Sequence, residues 1–90
     1  MQVELKGTLK VIFADAKIND NLEKKEVVIS IDESTGYPQD IIVQAINNKI
    51  QLLNGFKMGD AVTIKCNLRG KSTNGKYYNQ LSVFAIEKKS

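Results

Sequence analysis

The stretch Asp60-Ala-Val-Thr-Ile-Lys-Cys-Asn-Leu-Arg-Gly-Lys71, followed by Ser72-Thr-Asn-Gly75 and then Lys76-Tyr-Tyr-Asn-Gln-Leu-Ser-Val-Phe-Ala-Ile86, reads as two long strands joined by a tight turn. Val62, Ile64, Cys66 and Leu68 alternate with Thr63, Lys65, Asn67 and Arg69, the two-residue period of a half-buried strand. Asn74-Gly75 tolerates the positive φ values that a two-residue hairpin turn demands. Lys65, Arg69, Lys71 and Lys76 lie on this hairpin, and no Asp or Glu falls between Asp60 and Glu87. Tyr77, Tyr78 and Phe84 follow on the return strand. Cations beside flat rings on a sheet suit a single-stranded nucleic acid, which needs charge for its phosphates and π-faces for its bases.

Working outward, the first strand alternates Val3, Leu5, Leu9, Val11 and Phe13 with Glu4, Lys6, Thr8 and Lys10. Gly7 falls in its middle, where a missing side chain often marks a bulge or sharp bend. Ala14 to Glu23 reads as a polar loop and Lys24 to Asp32 as a second strand with Val27, Ile29 and Ile31 inward. Glu33 to Gly36 is a turn, and Tyr37-Pro38 opens a third strand through Ile41, Val43 and Ala45. Ile46 to Asn54 is the one helical segment, with Asn47 or Asn48 as its cap and Gly55 as its stop. Phe13 and Phe56 are expected as core or plug residues.

The order strand, strand, strand, short helix, strand, strand predicts an all-β chain with one short helix: an OB-fold, the five-stranded Greek-key barrel that hosts oligonucleotides or oligosaccharides. An SH3-like barrel would lack the inserted helix. Ninety residues without repeat or linker predict one domain over 1–90. So small a core gains from association, and a homo-oligomer is expected.

Composition removes several function classes. With no His there is no ordinary proton shuttle near neutral pH, and the lone Cys66 can form neither an internal disulfide nor a metal site. Asp32, Glu33 and Asp40 sit near turns, no phosphate loop or nucleophile motif is present, and a non-enzymatic protein without cofactor or metal is expected. No apolar run approaches membrane-spanning length and the N-terminus does not resemble a signal peptide, so a cytoplasmic location is expected. The net charge of +3 hides an asymmetry: residues 1–60 carry net −2 and residues 61–90 net +5.

Lys24-Lys-Glu-Val-Val, Gly36-Tyr-Pro-Gln, Met58-Gly-Asp, Asn67-Leu-Arg-Gly and Asn74-Gly-Lys-Tyr-Tyr-Asn, closing with Ala85-Ile-Glu, resemble a group of short bacterial proteins (DUF3127-like). That group carries an OB domain of unknown function related to single-stranded-DNA-binding proteins. Its members often place Trp after the Arg-Gly pair, where this chain has Ser72, and Trp-Arg near the end, where it has Phe84-Ala85. The resemblance implies the same barrel and a link to single-stranded DNA.

The candidate contact surface is the face of the last two strands. Lys65, Arg69, Lys71 and Lys76 would meet phosphates, and Arg69 would also stack on a base. Tyr77 and Tyr78 are adjacent and point to opposite faces, so one is expected to pack across the barrel and the other to stack on bases. Phe84 shares a face with Tyr78, Lys6 and Lys10 extend the cationic track along the first strand, and Tyr37 lines the groove or anchors its turn. The expected partner is single-stranded DNA, held with little sequence preference, and RNA fits the same chemistry. The alternative is a protein-interaction or self-associating module that uses the aromatics of the last strand.

Overall fold

Gly7 is where the sheet closes on itself. In the computed structural model, which describes residues 1–31 and 36–88, the first strand β1 (Gln2–Ile12) pairs antiparallel with two different neighbours. Gln2 to Thr8 pair with β5 (Ala61–Thr73), and Gly7 to Ile12 pair with β3 (Leu22–Ile31). Gly7 belongs to both ladders, opposite Val62 on one side and Ile31 on the other. A Cβ at this position would lie 2.0 Å from the Ser30 carbonyl oxygen, so only glycine permits the approach.

The remaining strands are β2 (Ala16–Asn19), β4 (Gln39–Ile46) and β6 (Lys76–Lys88). Among the described residues the sheet order is β1-β5-β6-β4-β3-β2, and the β1–β3 pairing makes the bonding ring-like. Every contact is antiparallel except β4 with β6, a parallel contact at the single pair Gln44 and Ser82. This is an OB-fold. It has one strand more than the expected five, because the polar segment after β1 forms the short β2, which pairs with the start of β3.

Two bulges reset the alternation that the sequence suggests. In β1 the register against β3 shifts between Leu9 and Val11. The extra residue turns Ile12 inward opposite Val27 and places Val11 and Phe13 outside, so Phe13 is 46% exposed and not part of the core. In β6 the register shifts between Ala85 and Val83, leaving Phe84 as the unpaired residue. Val83 then faces Cys66, and Ile86 faces Ile64.

Leu9, Val27, Ile29, Val43, Ala45, Val62, Ile64, Cys66 and Val83 fill the barrel, all 3% exposed or less. The helical segment is a 3₁₀ helix over Asn47–Leu53, which buries Leu53 and, with Ile50, Leu52 and Phe56, packs against this core. Neither Asn47 nor Asn48 caps it. Asn47 has a φ of 51°, and its side-chain oxygen accepts a hydrogen bond from the Glu23 N–H at 2.9 Å, tying the helix start to β3. Apart from Gly36, the turn expected at Glu33 to Gly36 lies outside the described residues, as do Asp32 and Lys89.

Candidate nucleic-acid interface

The hairpin of β5 and β6 begins as barrel wall and ends as an exposed arm, whose root at Asn79 and Gln80 lines a cleft with Lys24, Glu26 and Ile42. Up to Leu68, β5 is held by β1, the last link being the Leu68 N–H on the Met1 carbonyl at 2.8 Å. Beyond it, Arg69 to Thr73 pair only with Gln80 to Lys76, and every residue from 69 to 80 is exposed. Asn74 (φ 52°) and Gly75 (φ 77°) make the two-residue turn at the tip, as the dipeptide predicts. Cross-strand partners share a face, so the arm has two distinct sides. One carries Arg69, Lys71 and Thr73 facing Gln80, Tyr78 and Lys76. The other carries Gly70 and Ser72 facing Asn79 and Tyr77, and has no charge.

Both tyrosines are therefore exposed, Tyr77 at 83% and Tyr78 at 50%. The expectation that one packs across the barrel fails, because residues 76–80 extend past the core. Tyr78 stands opposite Lys71 on the charged side.

The charged side of the arm continues onto the outside of the barrel through Asn67 and Lys65. Phe84, released by its bulge, lines two open clefts there. One, of about 330 Å³, is bounded by Gln44, Lys49, Asn67, Arg69 and Gln80; the other, of about 360 Å³, by Gln2, Glu4 and Lys65. Lys49, on the 3₁₀ helix, is a cation that the sequence reading omitted. Nothing in a short helix between strands signals that it rises beside Arg69.

Ion pairing divides the cations. Lys6 lies 3.6 Å from Glu4, and Lys10 lies 2.7 Å from Asp40. Lys10 also sits at the β1 bulge, beside Ser30 and Pro38 and away from the arm. The cationic track expected along the first strand is thus matched by carboxylates. Lys24 meets Glu26, Lys25 meets Asp15, and Lys88 meets Asp60 while lying over the Phe56 ring. Among the described residues Lys17, Lys49, Lys57, Lys65, Arg69, Lys71 and Lys76 have no carboxylate within ion-pair distance, and of the hairpin four Lys65 stands opposite Glu4 across the β1–β5 ladder. Tyr37, 81% exposed, precedes β4. The parallel β4–β6 register places the start of β4, and Tyr37 before it, toward the same end of the barrel as the arm.

Two groups titrate away from their ordinary values. The Lys10 ammonium, hydrogen-bonded to Asp40, holds that carboxyl below the usual range, with Ser30 adding a further hydrogen bond. Burial pushes the Cys66 thiol up to about 11, so it behaves as an inert core residue. Among the described residues no cluster of Cys, Asp and Glu has the makings of a metal site, and no helix is long and apolar enough to cross a membrane.

The same architecture recurs in solved structures of low sequence identity. The mitochondrial single-stranded DNA binding protein Rim1 of S. cerevisiae superposes with a TM-score of 0.81 at 12% identity, over 98% of this chain and 94% of that one. The N-terminal domain of PriB from Thermoanaerobacter tencongensis, solved as a dimer, gives 0.73 at 14% identity, over 99% and 96%. A small single-stranded DNA-binding protein from Streptomyces coelicolor gives 0.52 at 12%, over 99% and 94%. At such identities the likeness establishes the fold. No curated protein matches the sequence. Residues 4–87 match the family model of a domain of unknown function, DUF3127, and the chain belongs to that family.

Proposed function

We propose that this protein binds single-stranded nucleic acid, DNA in the first instance, and does no catalysis. The observation that carries the reading is the segregation of charge. Arg69, Lys71 and Lys76, opposite no carboxylate, and Lys65, opposite Glu4 but outside ion-pair distance of it, share one side of the β5–β6 hairpin with Tyr78 and Phe84. Among the described residues the other cations without an ion pair, Lys17, Lys49 and Lys57, lie on separate elements. The cations elsewhere on β1 and β3 are paired with acids. Phosphates gain most from cations that no carboxylate already neutralises, and exposed rings stack on bases of any sequence. The fold shared with single-stranded DNA binding proteins supports the same reading. Lys6 and Lys10 contribute little to it, and Lys49 takes their place at the rim of the cleft.

The test is retention of a single strand by the double variant Arg69→Ala with Lys71→Ala. Both side chains lie on the exposed arm or its root, so the barrel should stay folded by circular dichroism. Loss of most of the affinity supports the proposal; full retention by the double variant rejects it.

A second reading is favoured by the uncharged side of the arm, where Tyr77 is exposed among Gly70, Ser72 and Asn79. That side suits contact with a second copy of the chain, in a homo-oligomer whose members keep their charged sides free. Sedimentation velocity of wild type and Tyr77→Ser decides it: a wild-type oligomer that dissociates in the variant supports this contact, and a monomeric wild type excludes it. A cytoplasmic location accords with both readings.

A further inference from the structure

A row of uncharged polar side chains crosses four strands on the outside of the barrel. Gln44 of β4 stands beside Ser82 of β6, Ser82 beside Asn67 of β5, and Asn67 beside Gln2 of β1. Gln80, opposite Arg69, sits next to this row and lines the same cleft as Gln44 and Asn67. Phe84 flanks the row and faces the clefts on both of its halves.

Asn19 and Asn47 each accept a backbone hydrogen bond, but among the described residues the side chains of Gln2, Gln44, Asn67 and Gln80 make none. Gln44 and Asn67 are half-buried as residues, with their amide atoms open to the cleft. Asn is disfavoured in strands, so its place in the middle of β5 is not explained by propensity. A phosphate accepts hydrogen bonds and gains nothing from an amide oxygen. An unpaired base presents a donor and an acceptor side by side, and a carboxamide matches both at once.

We infer that Gln44, Asn67 and Gln80, beside the Phe84 ring, read the Watson–Crick edges of bases in a bound single strand, so that the protein prefers some bases over others. This rests on the nucleic-acid reading above, and it departs from the little sequence preference that charge and stacking alone would give. Lys49 and Arg69, on the rim of the same cleft, would hold the adjoining phosphates while the amides sort the bases.

The experiment compares labelled dA, dC and dT strands of about 30 nucleotides, longer than the footprint of one barrel, and an abasic strand of equal length. Affinities should span about tenfold between the best and worst base, the scale of one good bidentate contact. In Gln44→Met with Asn67→Val the spread should collapse while the salt dependence stays. A dT strand carrying N3-methylthymine keeps phosphates and stacking but blocks the base edge. The wild-type protein should bind it several-fold more weakly than plain dT, a measurement that needs no variant to fold. Equal affinity for all bases, a preference that survives in the variant, or indifference to the methyl group overturns the inference and leaves nucleic-acid binding standing. Failure to bind any strand removes both.

Discussion

Single residues decide where this barrel closes and which of its groups respond to pH. Gly7→Ala should destabilise the fold by about 3 kcal/mol, the upper range for overpacking, because the new Cβ would meet the Ser30 backbone and not a movable side chain. Urea unfolding measures this, and a loss near zero would mean that β1 and β3 separate more readily than their register suggests. Cys66 should resist thiol reagents in the native protein and react fully once unfolded. Folding raises its pKa, so its contribution to stability is complete below the ordinary 9.0 and is lost as pH rises toward about 11. Asp40 has the opposite sign. Its depressed carboxyl favours the fold above the ordinary 3.8, and that contribution fades as pH falls through its lower native value. An NMR titration should find the Asp40 carboxyl below 3.8 in wild type and closer to it in Lys10→Met. The core side of β3, β4 and β5 was legible from simple alternation at Val27, Ile29, Val43, Ile64 and Cys66. Phe13 was misread because a bulge adds one residue and inverts every later side chain, and composition does not reveal where that residue goes.

Among the elements, the arm formed by residues 69–80 carries the separation between stability and binding. It buries almost nothing, so replacing Gly70 to Asn79 by Asn-Gly should leave the barrel folded. A two-residue turn between Arg69 and Gln80 preserves the hairpin register. The thermal midpoint should move by only a few degrees, the equivalent of about 1 kcal/mol or less in a domain this small. The affinity for a single strand should fall at least several-fold, since Lys71, Lys76 and Tyr78 leave with the arm. A shortened protein that melts far below wild type would show the arm to be structural. The hairpin, its Asn-Gly turn and its basic side were all visible in the sequence, since they depend on neighbouring residues. The exposure of both tyrosines was not. That follows from how far the pair runs beyond the β1 ladder, a length set by the distant partner Met1 to Thr8.

For the whole molecule, the distribution of partners among charges matters more than the net +3. Sequence asymmetry already pointed to residues 61–90, and the strand pattern added Lys6 and Lys10, whose carboxylate partners are set by strand geometry and by a contact thirty positions away. The candidate surface is smaller and better defined than the one read from the chain: the outer side of β5 and β6, with Lys49 joined to it from the helix. Electrostatics then fixes a number. If Lys49, Lys65, Arg69, Lys71 and Lys76 each meet one phosphate, the logarithm of affinity should fall against the logarithm of salt with a slope of roughly −3.5 for a single strand. The measurement that tests this most directly is fluorescence anisotropy of a labelled oligo-dT, titrated with the protein over a series of salt concentrations, beside the Arg69→Ala, Lys71→Ala variant. The account predicts micromolar or tighter binding at low salt with that slope, and a slope nearer zero by about one and a half in the variant. A folded wild-type protein that leaves the anisotropy unchanged at low salt, or binds with no dependence on salt, would contradict it.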